Sequence, residues 1–285
     1  MLVTAVLAMG ALAAILAALL TIAAKYLAVE EDERLETLLA VLPGNNCGAC
    51  GQPGCRGFAQ ALLTGSAQPA ACTVSTTEQK NHIADLLGVA VGEATTRVAR
   101  LACAGGSNVS RFRADYVGER SCAAAVTISG GGKGCVWGCL GYGDCARVCD
   151  FDAIELNEHD LPEVLEDACT ACGDCVEACP KELFSLVPAA DRLWVACRNE
   201  QAGDALLEDC RVACTACARC AFDAPEQVTM AGNLPVIADS QTAGREAIER
   251  CPTGAIVWID AAGHPQRGRE AEVIVRQGAL RAGPT

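Results

Sequence analysis

Charge is absent from residues 2–24, LVTAVLAMGALAAILAALLTIAA, and frequent directly after them. At 1.5 Å per residue a helix of that length reaches about 30 Å, the depth of a hydrocarbon core. Lys25 and Tyr26 follow as an interfacial pair, then Glu30, Glu31, Asp32 and Glu33. A cleaved signal peptide would begin with basic residues, which this run lacks; a buried core helix is the other competing assignment. The pattern predicts an uncleaved single-span anchor over 1–26. Lys25 and Arg34 flank only its C-terminal end, which places the rest of the chain on the cytoplasmic side.

Beyond the anchor, apolar stretches are short and broken by turns. Glu33 to Leu42 reads as an amphipathic helix stopped by Pro43-Gly44. Arg56 to Leu63 predicts a second helix ended by Gly65. Thr76 or Thr77 can cap a third through Leu87, with Gly88 at its C-terminus. Together they make a small module over 27–95. Residues 96–134 read as a connector with strands at Val98–Cys103 and Ala124–Ser129 and a Gly130-Gly131-Gly132 turn. Two small units follow, 135–188 and 189–260. The polar tail, 261–285, is expected to be loosely ordered. The expected class is α+β.

Composition explains why the units are small. Among 285 residues there are 20 cysteines, yet only three Trp, three Tyr and five Phe. Metal binding supplies folding free energy that so few aromatics cannot. The net charge of −13 argues against nucleic acid, whose phosphates demand a basic face. It is compatible with an acidic electron carrier. A secreted disulfide framework would not need the repeated CxxCxxC loops found here. Cluster thiolates must stay reduced, which again favours the cytoplasm.

The clearest loop is Cys169, Cys172, Cys175 and Cys179 with Pro180, the C-x2-C-x2-C-x3-C-P run of bacterial ferredoxins. A zinc site takes four ligands in total, commonly as two separated CxxC pairs. Before this run stand Cys135, Cys139, Cys145 and Cys149, with stretched gaps and Asp150 in place of proline. In two-cluster ferredoxins the fourth cysteine of each run serves the other cluster. That crossed rule gives one [4Fe-4S] cluster on Cys135, Cys139, Cys145 and Cys179, and another on Cys149, Cys169, Cys172 and Cys175. The uncrossed alternative keeps each run to itself. The pieces Asp152-Ala153-Ile154 and Glu182-Leu183-Phe184 repeat after the runs as a pseudo-twofold.

In the last unit Cys214, Cys217 and Cys220 form a clean loop, and Cys251-Pro252 closes the unit. Ala224, Gln241, Gly244 and Ala247 stand where a second cluster would need cysteine. The four that are present form one complete crossed site, Cys214, Cys217, Cys220 and Cys251. A grouping of Cys210 with Cys214, Cys217 and Cys220 is the rival. Near the N-terminus, Cys47, Cys50, Cys55 and Cys72 make a further group within and after PGNNCGACGQPGC, where zinc is the competing occupant. Cys103, Cys122, Cys197 and Cys210 are unassigned. Cys103 and Cys197 end the apolar stretches RLAC and RLWVAC, as at a repeated module boundary. Buried structural cysteine, paired thiols or a fifth cluster all fit them. His82, His159 and His264 stand alone, and no nucleotide-binding glycine fingerprint is present.

An apolar N-terminal helix, PGNNCGACGQPGC with a distant Cys72, and ferredoxin repeats containing GCVWGCLGYGDCARVC resemble the B subunits of Rnf complexes in their long, multi-cluster form. The resemblance reaches to about residue 260. It implies an electron-relay subunit of a bacterial inner-membrane translocase that couples electron transfer between reduced ferredoxin and NAD⁺ to Na⁺ or H⁺ movement. It implies the other complex subunits, soluble ferredoxin and the lipid bilayer as partners. It also implies that Cys47, Cys50, Cys55 and Cys72 match the family's N-terminal cluster. A tethered polyferredoxin serving an unrelated enzyme is the alternative. Four clusters are expected, taking electrons at the distal units and delivering them at the first module.

Overall fold

The computed structural model describes residues 2–27, 32–93, 95–238, 244–273 and 280–281. Helix α1 (Leu2–Leu27) takes in the whole uncharged run, with Lys25 in its last turn. Its 26 residues span about 39 Å. Leu12, Ile15, Leu16 and Leu19 are each more than half exposed. Among the described residues no helix is long and apolar enough to cross a membrane.

The first module follows the apolar spacing closely. Helix α2 (Glu33–Val41) starts at Asp32, whose carboxylate accepts from the Arg34 N–H. Its buried face is Leu35 and Leu38. Helix α3 (Gly54–Leu63) leaves the cysteine loop and buries Phe58 and Leu62. Helix α4 (Thr77–Leu87) opens on a capping box between Thr76 and Gln79 and closes on Gly88 at φ 65°. A cap of this kind contributes about 1 kcal/mol. Gln79 also donates to the Val41 carbonyl at 2.8 Å, tying α4 to the end of α2. Leu38, Phe58 and Ile83 meet in the middle, each at most 1% exposed. Each such side chain contributes about 1.5–3 kcal/mol on burial.

The rest of the chain builds one plan twice. Strand β1 (Arg97–Leu101) carries a buried face, and β2 (Arg111–Phe112) lies beyond it. Helix α5 (Cys122–Val126) and helix α6 (Asp144–Arg147) precede the hairpin of β3 (Ile154–Leu156) and β4 (Pro162–Val164). Helix α7 (Asp174–Glu177) leads to β5 (Phe184–Pro188), which returns antiparallel to β1 from Arg97↔Pro188 to Leu101↔Phe184. The second copy opens on β6 (Leu193–Val195) and continues through helix α8 (Arg219–Asp223). The hairpin of β7 (Val228–Ala231) and β8 (Leu234–Ile237) follows. Helix α9 (Glu246–Glu249) then leads to β9 (Ile256–Ile259), which pairs antiparallel with β6. In both copies the first strand pairs with the last, around a hairpin and two single-turn helices. Strand β1 therefore draws part of the expected connector into the first unit. Arg100 on that strand is buried and pairs with Glu166 at 2.7 Å, locking it to the start of the second cysteine loop.

Two expectations need correction. Residues 122–126 are helical, where a strand was expected over Ala124–Ser129. The alanine run favours helix, and Ser121 caps it by accepting from the Ala124 N–H. The tail is also not loose over its described residues. Strand β10 (Pro265–Gln266) adds to β9, and β11 (Leu280–Arg281) pairs parallel with β2. Arg269 pairs with Glu249 at 2.8 Å, and Arg267 donates to the carbonyls of Thr253 and Glu272.

Candidate metal centres

The sequence places each cysteine loop just before a single-turn helix, and the backbone there is wound tightly. Both Cys-Thr-Ala-Cys segments put their alanine in the left-handed region, Ala171 at φ 56° and Ala216 at φ 58°. An L-residue avoids that region by about 1–2 kcal/mol. Asp152 and Glu182, following the two runs of the first unit, match at φ 50° and 51°. The next amide in each case donates to the last cysteine of its run: Ala153 to Cys149 Sγ and Leu183 to Cys179 Sγ, both at 3.4 Å. The pseudo-twofold thus extends to individual N–H···S bonds.

Four apolar cavities in the two units are each lined by four cysteines. Cys149, Cys169, Cys172 and Cys175 line one of them beside Ala99, Ile154 and Leu186. This is the crossed quartet, and the Ala99 N–H donates to Cys169 Sγ at 3.4 Å. Cys214, Cys217, Cys220 and Cys251, the crossed quartet of the second unit, line another. The rival grouping is not brought together, because Cys210 lines a different cavity. In the first module Cys50, Cys55 and Cys72 pack on the helical core. Burial pushes the Cys50 thiol up, and the nearby Cys72 and Cys47 push it further. Asn46 Oδ1 accepts from the Cys55 N–H at 2.9 Å and fixes that loop.

The remaining expected quartet is not brought together as a set. Cys139, Cys145 and Cys179 line one cavity, but the fourth cysteine there is Cys122. Cys135 lies elsewhere, lining a cavity with Cys103, Cys197 and Cys210. The cause is helix α5. The Asp144 carboxylate accepts from the N–H groups of Cys122 and Ala123 at 2.9 and 3.0 Å and from Ser121 Oγ at 3.0 Å. Burial opposes ionisation of Asp144, yet these bonds outweigh it and hold its pKa below the usual carboxylate value. Asp144 thereby pins Cys122 beside its own neighbour, Cys145. The stretched C-x3-C gap between Cys135 and Cys139 was the available signal that Cys135 stands outside the loop.

These quartets suit a polynuclear cluster. Among the described residues no three Cys, His, Asp or Glu side chains converge as a single-ion site requires. A zinc ion bound at about 2.3 Å would draw four sulfurs to roughly 4 Å from one another. Burial, reinforced by neighbouring cysteines, pushes the Cys139, Cys145 and Cys175 thiols up to about 12 and Cys220 to about 11. Iron binding must displace those protons, so loading is coupled to proton release. Apolar walls, four thiols and backbone N–H···S donors make the donor set of a [4Fe-4S] site.

Comparison with known proteins agrees with this chemistry. Residues 42–74 match the FeS family of Fe-S cluster segments, and residues 162–184 match the 4Fe-4S binding domain family. The chain is 45% identical over 195 residues to the B subunit of the Na(+)-translocating ferredoxin:NAD(+) oxidoreductase complex of Acetobacterium woodii, covering 68% of this chain and 59% of that protein. It is 30% identical over 240 residues to the B subunit of the ion-translocating oxidoreductase complex of Methanosarcina acetivorans, covering 84% of this chain and 91% of that one. It is 32% identical over 240 residues to the B subunit of the proton-translocating ferredoxin:NAD(+) oxidoreductase complex of Clostridium ljungdahlii, covering 82% and 84%.

Proposed function

The chain belongs to the family of ion-translocating oxidoreductase complex B subunits, and from that premise we propose that it is the iron–sulfur relay of a membrane complex coupling electron transfer between ferredoxin and NAD⁺ to Na⁺ or H⁺ movement. The observation that carries this reading is the set of cysteine quartets around apolar cavities in a repeated ferredoxin-like plan. Bound there, [4Fe-4S] clusters supply one-electron transfer. The residues that would hold them are Cys47, Cys50, Cys55 and Cys72; Cys122, Cys139, Cys145 and Cys179; Cys149, Cys169, Cys172 and Cys175; and Cys214, Cys217, Cys220 and Cys251.

Helix α1 is the single-span anchor in this reading, with the cluster units on the cytoplasmic side of a bacterial inner membrane. The uncharged run 2–24 and the exposed Leu12, Ile15, Leu16 and Leu19 support that role. The run 2–24 has no charged residue to form an ion path, so translocation belongs to partner subunits. Reduced ferredoxin is the donor, bound through a small transient interface. Electrons enter at the distal units and leave at the first module.

Membranes carrying the whole complex test this with Cys55→Ser. The distal clusters should still be reduced by ferredoxin, while NAD⁺ reduction falls at least about tenfold, a barrier change of about 1.4 kcal/mol. Loss of the initial reduction would reverse the order. Undiminished NAD⁺ reduction would leave only a tethered polyferredoxin.

A further inference from the structure

We propose that the junction between the two ferredoxin-like units holds a fifth [4Fe-4S] cluster, ligated by Cys103, Cys135, Cys197 and Cys210. These four line one apolar cavity, as the crossed quartet at Cys149, Cys169, Cys172 and Cys175 lines another. With Cys122 placed beside Cys139, Cys145 and Cys179, all 20 cysteines divide into groups of four with none left over.

The site is built from the same two positions of each unit. Cys103 follows β1 and Cys197 follows β6, the opening strands of the repeat. Cys135-x3-Cys139 in the first unit matches Cys210-x3-Cys214 in the second. Hydrogen bonding repeats with them. Cys103 Sγ accepts from the N–H groups of Gly105 at 3.4 Å and Cys139 at 3.5 Å. Cys197 Sγ accepts from those of Asn199 at 3.4 Å and Cys214 at 3.3 Å. The other two thiols receive side-chain donors from the opposite unit. Asn199 Nδ2 donates to Cys135 Sγ at 3.7 Å. Ser110 Oγ lies 3.8 Å from Cys210 Sγ and 2.9 Å from the Gly105 carbonyl, so its single proton is shared between them. Ser110 and Asn199 are 0% and 2% exposed. Backbone bonds close the seam, Ala104 N–H to Ala196 O at 2.9 Å and Arg211 N–H to Val109 O at 3.0 Å.

The Lys133 ammonium is also buried beside the cavity, donating to the Gly105 and Cys139 carbonyls at 2.5 Å. A cation there offsets the negative charge that four thiolates bring to a cluster. Position gives the site its use. Cys139 and Cys214, whose amides donate to Cys103 and Cys197, line the neighbouring cavities of the first and second units. The junction therefore lies in contact with both, and a cluster there passes single electrons between the units. Only that use rests on the relay reading; the binding of iron does not.

The test is iron and acid-labile sulfide analysis, with EPR, of the full chain reconstituted anaerobically with ferrous iron and sulfide. The wild type should hold about twenty iron atoms, and Cys197→Ala or Cys210→Ala should hold about sixteen. A wild-type count near sixteen, an unchanged count in Cys210→Ala, or stoichiometric zinc in chain purified from cells would overturn the fifth site while leaving the relay intact. A wild type without iron would end both readings. If a cysteine variant loses far more than four iron atoms, Ser110→Ala with Asn199→Ala decides. That variant should keep its iron and move one EPR component to lower potential; unshifted components would refute the proposal.

Discussion

The two ferredoxin-like units share a plan but fill it differently. In the first, Cys145 and Cys175 are core residues with Ala99, Ile154 and Phe184, and Cys149, Cys169 and Cys179 pack around them. In the second, Ala224 and Ala247 stand at two of the positions where a cysteine would be needed, packed with Leu193, Val228 and Ile248. Ile248 and Ala247 are at most 1% exposed. Gly244, a third such position, donates its N–H to Gln227 Oε1 at 3.3 Å. Gln241, the fourth, lies outside the described residues. A strand pair, a hairpin and two single-turn helices thus close around either thiols or aliphatic side chains. The second unit packs aliphatic side chains where the first carries a second set of cysteines.

The largest consequence concerns metal removal. Chelation under mild oxidation should strip the first unit of its organising centres but leave the second with half a core. Hydrogen exchange should show amide protection falling roughly tenfold more in β1 and β5 than in β6 and β9. Equal loss in both units would mean that the aliphatic half contributes nothing on its own.

A gain of function sharpens the same contrast. Cysteine at all four positions, Ala224→Cys, Gln241→Cys, Gly244→Cys and Ala247→Cys, should add about four iron atoms to the reconstituted chain. If the iron content does not rise, repacking around Ile248 has closed the space and the scaffold no longer admits a cluster there.

The smallest expected effect lies at the β9–β10 turn, in a strand that the first unit lacks. Asp260 accepts from the His264 N–H, and this bond lowers its pKa most; burial opposes it, and Ala262 N–H and Gln266 Nε2 add to the lowering. Arg192 donates to its carbonyl at 2.7 Å, and the His264 ring lies 3.9 Å from its carboxylate. A lowered carboxyl stabilises the turn above about pH 4, the unfolded value, and the gain disappears as pH falls through the folded one. The protection factor of the Gln266 amide, taken relative to intrinsic exchange at each pH, should fall modestly on acidification in the wild type and be less sensitive to pH in Asp260→Ala. Identical pH profiles would show that the carboxylate does not hold the turn.

Much of this could be read from spacing alone. The helices of the first module, Thr76 as cap and Gly88 as stop follow from apolar periodicity and local chemistry. The three cysteines of each CxxCxxC loop share a cavity because the loop is short, and the structure lines the same cavities with Cys149 and Cys251, the groupings that the crossed spacing proposes. Cys122 was not legible. It reaches Cys145 only because Asp144, 22 residues away, grips the start of α5. Nor was the regrouping of Cys135 with Cys103, Cys197 and Cys210, which depends on how two units dock. The pairing of β1 with β5 failed to show for the same reason, with more than eighty residues between the partners.

Residues 28–32 alone separate the end of α1 from the start of α2. Fully stretched, that segment lets the first module travel only about 20 Å from the helix end. Val91 is tied to the first module by the Ala70 N–H and Thr96 to the first unit by the Ala189 N–H, so the stretch between them allows the larger cysteine-rich body only about 18 Å more. With α1 held in a bilayer, the chain acts as a short leash. Its terminal centre is confined to a shell a few nanometres deep, at an effective concentration near the millimolar range for anything embedded alongside. Delivery to such an acceptor then needs no lasting affinity, and the contact can be broken as often as electrons arrive.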